Sequence, residues 1–443
     1  MSGYATSISD LIDRGDWSPF QKLTLALLGL AYLTDGIANQ SLGLAIPALM
    51  ADWALGREVF ASVAASGLVG LTLGAVLGGV LGDRIGRRSV VIASTAFFGV
   101  ATMAQAWVSN PTELLALRFV DGLGIGAMIP NGAALISEFT PRRHRAVALA
   151  IVMAFIPVGA MVSGLLGSLL IEPYGWEGLF LVLGGTAVAA ALLLLAFLEE
   201  SPVHLARSGA SQERLRRLAR RCGLAVGEDP ITAADPTEAG PPRLPLADLF
   251  SAGLASSTIF LWIAFFFCLL ANYAMFSWVP AMLASLGFAL SLTGLGMTAL
   301  SLGGILGGAG CGWLIGRFGS RVVVLTLAAG GIAASLALGI LIRYGVGGLG
   351  MILSFLFLIG IFSSGLLNGL YTFSAFLYPD RARSTGVGAA AAAGRIGAIA
   401  SSYAGVIALS VGGASGYFIV IAGSLAISMA MVALIKRQIP GEA

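Results

Sequence analysis

The sequence predicts an all-α membrane protein of twelve transmembrane helices in two six-helix halves, and three observations carry that prediction. Of its 443 residues, 57% are hydrophobic and only 11% charged, with a mean hydropathy of +0.92, a balance that no water-exposed surface tolerates. Twelve stretches approach or exceed the ~20 mostly apolar residues that a helix needs to cross a bilayer. A charged turn, Gly79-Val80-Leu81-Gly82-Asp83-Arg84-Ile85-Gly86-Arg87-Arg88, returns as Gly312-Trp313-Leu314-Ile315-Gly316-Arg317-Phe318-Gly319-Ser320-Arg321 with glycines, leucine and arginines in register. One membrane half has been used twice.

The first half, residues 1–198, opens with a segment that holds Asp10, Asp13 and Asp16 and has no small-residue cleavage site after a short apolar core, so it does not read as a signal peptide. Its spans fall at 23–50, 59–81, 90–108, 114–136, 146–171 and 179–198. Gly70, Gly74, Gly78 and Gly82 form a stripe down span two, and Gly122, Gly124 and Gly126 lie in span four. Inside a span such glycines serve close helix packing rather than phosphate binding.

Residues 199–255 change composition. They carry Arg207, Arg214, Arg216, Arg217, Arg220, Arg221 and Arg243 with Pro230, Pro236, Pro241, Pro242 and Pro245. The basic part reads as a solvated loop, in preference to a short helix on anionic headgroups, and the proline-rich remainder as disordered. The second half, 256–443, has spans at 258–286, 290–315, 322–342, 349–378, 386–411 and 416–435.

Orientation follows from the basic residues, because lysine and arginine flanking the spans stay in the cytoplasm. Of the 25, Arg57 and Arg343 fall in loops on one side, Arg118 and Arg395 fall inside spans, and the rest lie on the other side. Both termini and the linker are therefore expected in the cytoplasm, with the chain in a cell (inner) membrane. Cys222, Cys268 and Cys311 have no disulfide or metal spacing and read as packing residues. The two histidines, His144 and His204, lie at the cytoplasmic edge, which leaves no intramembrane histidine relay or zinc site.

The only lysines, Lys22 and Lys436, are in no glycine-rich turn, so no phosphate-binding loop powers this chain. Without a Gly-x-Ser-x-Gly elbow, a His-Glu-x-x-His helix or a Cys-x-x-Cys pair, an enzyme is disfavoured and a secondary transporter is the default.

The Gly79 to Arg88 turn resembles the signature loop between helices two and three of the major facilitator superfamily. The resemblance implies that Asp83, Arg84 and Arg87 tie helix ends together on the cytoplasmic face as a conformational gate, without touching substrate. In the second copy Gly316 stands at the aspartate position, which implies a weaker latch there. Pro141-Arg142-Arg143-His144-Arg145 is echoed by Pro379-Asp380-Arg381-Ala382-Arg383, and Glu138 resembles the acid that closes the same network with Arg145 and Arg383.

Within the superfamily the chain resembles the aromatic acid:proton symporters. The resemblance rests on Asp35-Gly36 through Gln40 and Ala45-Ile46-Pro47-Ala48-Leu49 in span one, and on Arg118 to Gly126, Pro130-Asn131 and Glu138 in span four. In the second half Trp278-Val279-Pro280, Tyr378-Pro379, Arg383 to Gly388 and Gly394-Arg395-Ile396-Gly397 continue it. Two positions depart from the pattern. Ala38 replaces a second span-one aspartate, and Asp121 replaces a small neutral residue in span four.

An ionised side chain at mid-bilayer costs ~2.5–3.5 kcal/mol on insertion scales, so such residues pair or line a wet cavity. Asp35 lies halfway along span one, with Asn39 one turn on and Gln40 alongside. An aspartate pulled one way by burial and the other by a guanidinium can load and release a proton. Arg395 stands among small residues, Ala389 to Gly394, and its planar fork fits a carboxylate. It is the expected anion anchor, against a structural alternative in which it snorkels or pairs with Asp35. Arg118 and Asp121, three apart, either form a local ion pair or take part in proton coupling. Tyr273, Asn368 and Tyr371 are placed on the cavity wall, whereas Trp278 reads first as an interfacial anchor.

The expected function is proton-coupled import of a small organic acid, most simply an aromatic carboxylate, by alternating access. The partners are the acid anion, protons and the lipid bilayer. No cofactor, metal or nucleic acid is called for, and one chain suffices as a monomer. The rivals are a proton-coupled drug or metabolite efflux antiporter and a sensor that kept the fold without transport. Benzoates, hydroxybenzoates, phenylpropanoid acids, nicotinate-like heteroaromatics and dicarboxylates such as muconate all remain open.

Overall fold

The computed structural model describes residues 6–224, 230–232, 249–250, 254–378, 382–436 and 438–439. A short helix, α1 (Ile8–Arg14), precedes the first long one, α2 (Pro19–Asp52). Ser18 starts α2 with a capping box, its hydroxyl accepting from Gln21 N while the Gln21 side chain accepts from Ser18 N. Then come α3 (Arg57–Ile85), α4 (Arg87–Ala104), α5 (Pro111–Phe139), α6 (Arg145–Met153) and α7 (Phe155–Phe197).

α7 has 43 residues and would run roughly 65 Å if straight. It does not. Phe155 packs on Gly29 near the start of α2, while the Leu195 and Leu198 carbonyls accept from Arg88 at the start of α4, so both ends lie on one side. The chain turns back at Gly175, where φ is 66°, a conformation that only glycine takes without strain.

After the linker come α10 (Ala255–Ser285), α11 (Leu290–Phe318), α12 (Ser320–Arg343), α13 (Leu349–Leu377) and α14 (Arg383–Leu434). α14 turns back in the same way at Gly413, with φ 58°. Among the described residues nine helical segments are long and apolar enough to cross a membrane. Two of them double back, which makes eleven passes, and the 34-residue α2 packs beside them.

The halves repeat one packing scheme. Gly70 and Gly74 of α3 lie against the backbones of Phe119 and Leu123 in α5, and Gly122 and Gly126 return the contact on Gly67 and Leu71. In the second half Gly303 and Gly307 of α11 meet Phe357 and Ile361 of α13, with Gly360 against Leu300. Helix axes approach this closely only where no Cβ intervenes. Between the halves Ser291 donates to Glu172 at 2.6 Å and Ser410 to Glu58 at 3.2 Å at the end away from the linker, Ser62 and Tyr403 share a bond at 3.5 Å, and Thr298 donates to the Met161 carbonyl at 3.3 Å farther in. On the linker side Asn368, Tyr371 and Thr372 are exposed, so the interior opens that way.

The basic part of the linker is not the solvated loop expected of it. It forms α8 (Pro202–Arg207) and α9 (Gln212–Arg221), and a two-residue strand β1 (Thr6–Ser7) pairs in parallel with β2 (Ile231–Thr232). Leu205, Leu215, Leu218 and Cys222 are buried in one cluster with Ile8, Ile12 and Phe139. Burial there pushes the Cys222 thiol up to about 12. Leucines spaced three apart give α9 an apolar stripe, which is spent on protein rather than lipid. The linker prolines from Pro236 to Pro245, Arg243, and Pro379 to Arg381 of the second echo lie outside the described residues.

Candidate functional site

Between the halves lies a cavity of about 260 Å³, roomy for one ring, since an apolar space of ~150 Å³ takes benzene. The first half contributes Asn39, Gln40, Arg118 and Asp121 to its wall, and the second half Asn272, Tyr273, Ser277, Ser364 and Asn368, with Leu42, Ile46, Leu68, Ile125 and Phe276 between them.

Arg118 reaches the wall with its charge already engaged. Its Nη1 donates to Asp121 Oδ2 at 2.6 Å, to Ser41 Oγ at 3.2 Å and to the Ala38 carbonyl at 3.4 Å, while Nη2 donates to the Asn39 carbonyl at 2.9 Å. Thr102 donates to the other Asp121 oxygen at 3.1 Å. The local ion pair allowed by the three-residue spacing therefore forms, and it clamps α5 to α2 at Ala38. A second aspartate in α2 is absent there, and Asp121 supplies the negative charge from α5.

Asp35 lies behind the wall rather than on it. It is 2% exposed, and its Oδ1 is buried without a hydrogen-bond partner. Its carboxyl is within electrostatic reach of Asp121 and of the Tyr273 hydroxyl. Arg395 is partly exposed and, like Tyr371, does not line this cavity, although both were expected at it. Its neighbours Gly394 and Gly397 press on α10 at Phe265, Phe266 and Leu269, and its guanidinium is within electrostatic reach of Tyr273 and Tyr371. Tyr371 stands edge-on to Phe265 at 5.0 Å. Arg395 makes no ion pair or hydrogen bond with a described residue, so the alternative in which it pairs with Asp35 is not what this structure holds.

The family model of the Major Facilitator Superfamily matches residues 28–342 and, in a second match, 261–443. The chain belongs to that superfamily. It is 31% identical to a gallate transporter of Pseudomonas putida over 91% of this chain and 89% of that one. It is 30% identical to a 4-hydroxybenzoate transporter of Acinetobacter baylyi over 92% and 90%. The fold is that of the xylose transporter of E. coli in a partially occluded inward open conformation, with a TM-score of 0.73 at 16% identity over 96% and 100% of the chains. This major facilitator is a membrane transporter and not an enzyme.

Its signature turn forms a latch in the first half. Arg87 bonds Asp83 at 3.2 Å and pairs with Glu138, which also accepts from the Ser201 hydroxyl. Arg88 N donates to Glu200 at 3.0 Å, which carries the network into the start of the linker. Two of the expected gate residues are placed otherwise. Arg84 is exposed and pairs with no described residue. Arg145 pairs with Asp13 of the N-terminal segment at 2.8 Å rather than with Glu138. In the second copy of the turn Arg317 lies over the rings of Trp313 and Phe318 at 5.7 and 5.6 Å, consistent with the missing acid at Gly316.

Trp278 is neither an interfacial anchor nor part of the wall. It is fully buried inside the second half against Gly405. Three polar wall residues were not expected from the sequence, Ser277, Ser364 and Asn272. Asn272 adjoins Tyr273, and an amide in the middle of an apolar span was the signal available.

Proposed function

We propose that this transporter imports a small aromatic carboxylate with protons, by rocking of halves 1–198 and 256–443 about the cavity while the 199–255 linker joins them. The observation that carries the reading is the Arg395 guanidinium, which has no partner among the described residues and is within electrostatic reach of Tyr371, itself packed edge-on against Phe265. A carboxylate matches its planar fork in two parallel hydrogen bonds, and the neighbouring rings offer a surface for stacking. Arg118 is unsuited to that task because Asp121 and the α2 carbonyls already occupy it.

Asp35 carries the proton. A carboxyl enclosed with an orphan oxygen either holds a proton or needs a partner, so moving it between environments couples proton exchange to rocking. In the cycle, Asp35 takes a proton from the far side and the acid pairs with Arg395. Rocking then opens the cavity to the linker side, where both leave. The linker side is the cytoplasm, since nearly all the arginines flank it, and the termini lie there with it in a bacterial inner membrane. One chain encloses the pathway, and the proton gradient replaces any cofactor. The named activities of the gallate and 4-hydroxybenzoate relatives support this choice of substrate class.

The test is uptake of radiolabelled aromatic and aliphatic acids into liposomes under an imposed proton gradient. Accumulation of an aromatic acid that an uncoupler collapses, and that Arg395→Ala and Asp35→Asn each abolish, is the expected result. Full accumulation by Asp35→Asn would remove the proton role. Export of a lipophilic cation with no acid uptake would replace the reading by efflux.

A further inference from the structure

The cluster that buries the leucines of α9 also fixes its arginines. α9 carries five arginines and one glutamate in ten residues, and with Leu215 and Leu218 packed into the protein the helix cannot turn that charge elsewhere. Arg214, Arg217 and Arg221, three and four residues apart, share one face. With Glu199, Ser211 and Glu213 they line a second cavity of about 330 Å³, which shares no residue with the cavity between the halves. Arg217 bonds Glu213 at 3.2 Å and Arg221 pairs with Glu199, while the Arg214 side chain bonds to no described residue. A guanidinium has five N–H donors and each of these pairs uses one, so most donors of the three arginines are unspent.

This cavity lies at the edge of the membrane-spanning surface. The Arg221 guanidinium covers the ring of Phe20 at 5.6 Å, where α2 begins, and Glu199 follows the end of α7 by two residues. Next to that level Leu23 of α2 and Leu193, Leu195 and Phe197 of α7 are all exposed, an apolar band suited to acyl chains.

We infer that Arg214, Arg217 and Arg221 form a binding site for the phosphate of an anionic phospholipid whose acyl chains run along Leu23, Leu195 and Phe197. Guanidinium forks match phosphate oxygens in parallel hydrogen bonds. Glu199 and Glu213 orient two of the three arginines and leave one positive charge in excess, which complements the single negative charge of a phosphodiester. A zwitterionic headgroup brings an ammonium against the same arginines and loses that complement. A free phosphate ion meets the forks but leaves the apolar band uncovered. The site is independent of what the transporter carries.

Native mass spectrometry of the purified full chain in detergent, titrated with dioctanoyl phosphatidylglycerol, dioctanoyl phosphatidylcholine or inorganic phosphate, tests it. Phosphatidylglycerol is expected to bind one to one, with a Kd on the order of tenfold below that of phosphatidylcholine. An Arg214→Gln, Arg217→Gln double variant should lose the preference. An Arg317→Gln, Arg321→Gln double variant, which removes the same charge from the second half, should keep it. All four arginines are exposed, so neither change touches the core. Equal Kd values for the two lipids, a preference that survives Arg214→Gln with Arg217→Gln, or an equal loss in both double variants would overturn the site. Inorganic phosphate that binds as tightly as phosphatidylglycerol would overturn the assignment to lipid.

Discussion

Arg118 and Arg395 occupy spans of opposite halves in opposite circumstances. Arg118, 6% exposed, donates to a carboxylate, a hydroxyl and two carbonyls of its own half, whereas Arg395, partly exposed, bonds to no described residue. The same contrast runs through the halves. The first has its latch closed by Asp83, Arg87 and Glu138, and its linker-side face covered by α1, α8 and α9. The second has Gly316 in place of the latch acid and leaves Tyr371 and Asn368 open to the linker side. A charge enclosed with its partners holds structure, and a charge left without one is available to a ligand. The two similar bundles thus differ in how far the arginine inside a span is paired within its own half.

The sharpest way to break this contrast is to unpair the buried arginine. Asp121→Ala should destabilise the protein by about 3–5 kcal/mol, because it strands the Arg118 charge, and an Arg118→Met, Asp121→Leu double variant should recover part of the loss. Thermal unfolding in detergent measures both. Arg395→Ala should do the reverse: a loss of ~100-fold in uptake kcat/KM, about 2.7 kcal/mol, with little change in the unfolding temperature. A large drop in stability with Arg395→Ala would erase the distinction between the two arginines.

The latch sharpens the comparison between the two copies of the turn. Glu138→Ala removes the acceptor of both Arg87 and Ser201 and should cost about 1–3 kcal/mol, whereas Arg317→Ala in the second copy should cost under ~1 kcal/mol. Paired unfolding curves decide it. The smallest effect belongs to the N-terminal segment, where Asp16→Asn breaks an exposed pair with Arg143 worth about 0.2–1 kcal/mol, and the difference should vanish in high salt.

Much of this was legible in the sequence for identifiable reasons. Desolvating a helix in lipid requires a long apolar run, so the spans show in hydropathy alone. The spacing of Arg118 and Asp121 puts them on one helical face, and the structure pairs them. The charged turn marks a latch, because a plain basic loop has no need of Asp83. Other features left no such trace. Arg145 had an acid nearby in sequence at Glu138 and took Asp13 instead, because α1 folds back over the loop that holds it. The linker arginines suggested solvent, while the leucines between them answered to a cluster assembled from α1 and α5.

By itself the sequence determined the membrane class, the duplication and the inventory of charges inside the spans, since each follows from local composition or from spacing along one helix. Tertiary structure decided which of those charges is spent and which is free. It set Asp35 behind the wall and turned Trp278 into the core. Those outcomes depend on which helix faces meet across the interior, and no periodicity within a single span encodes that meeting.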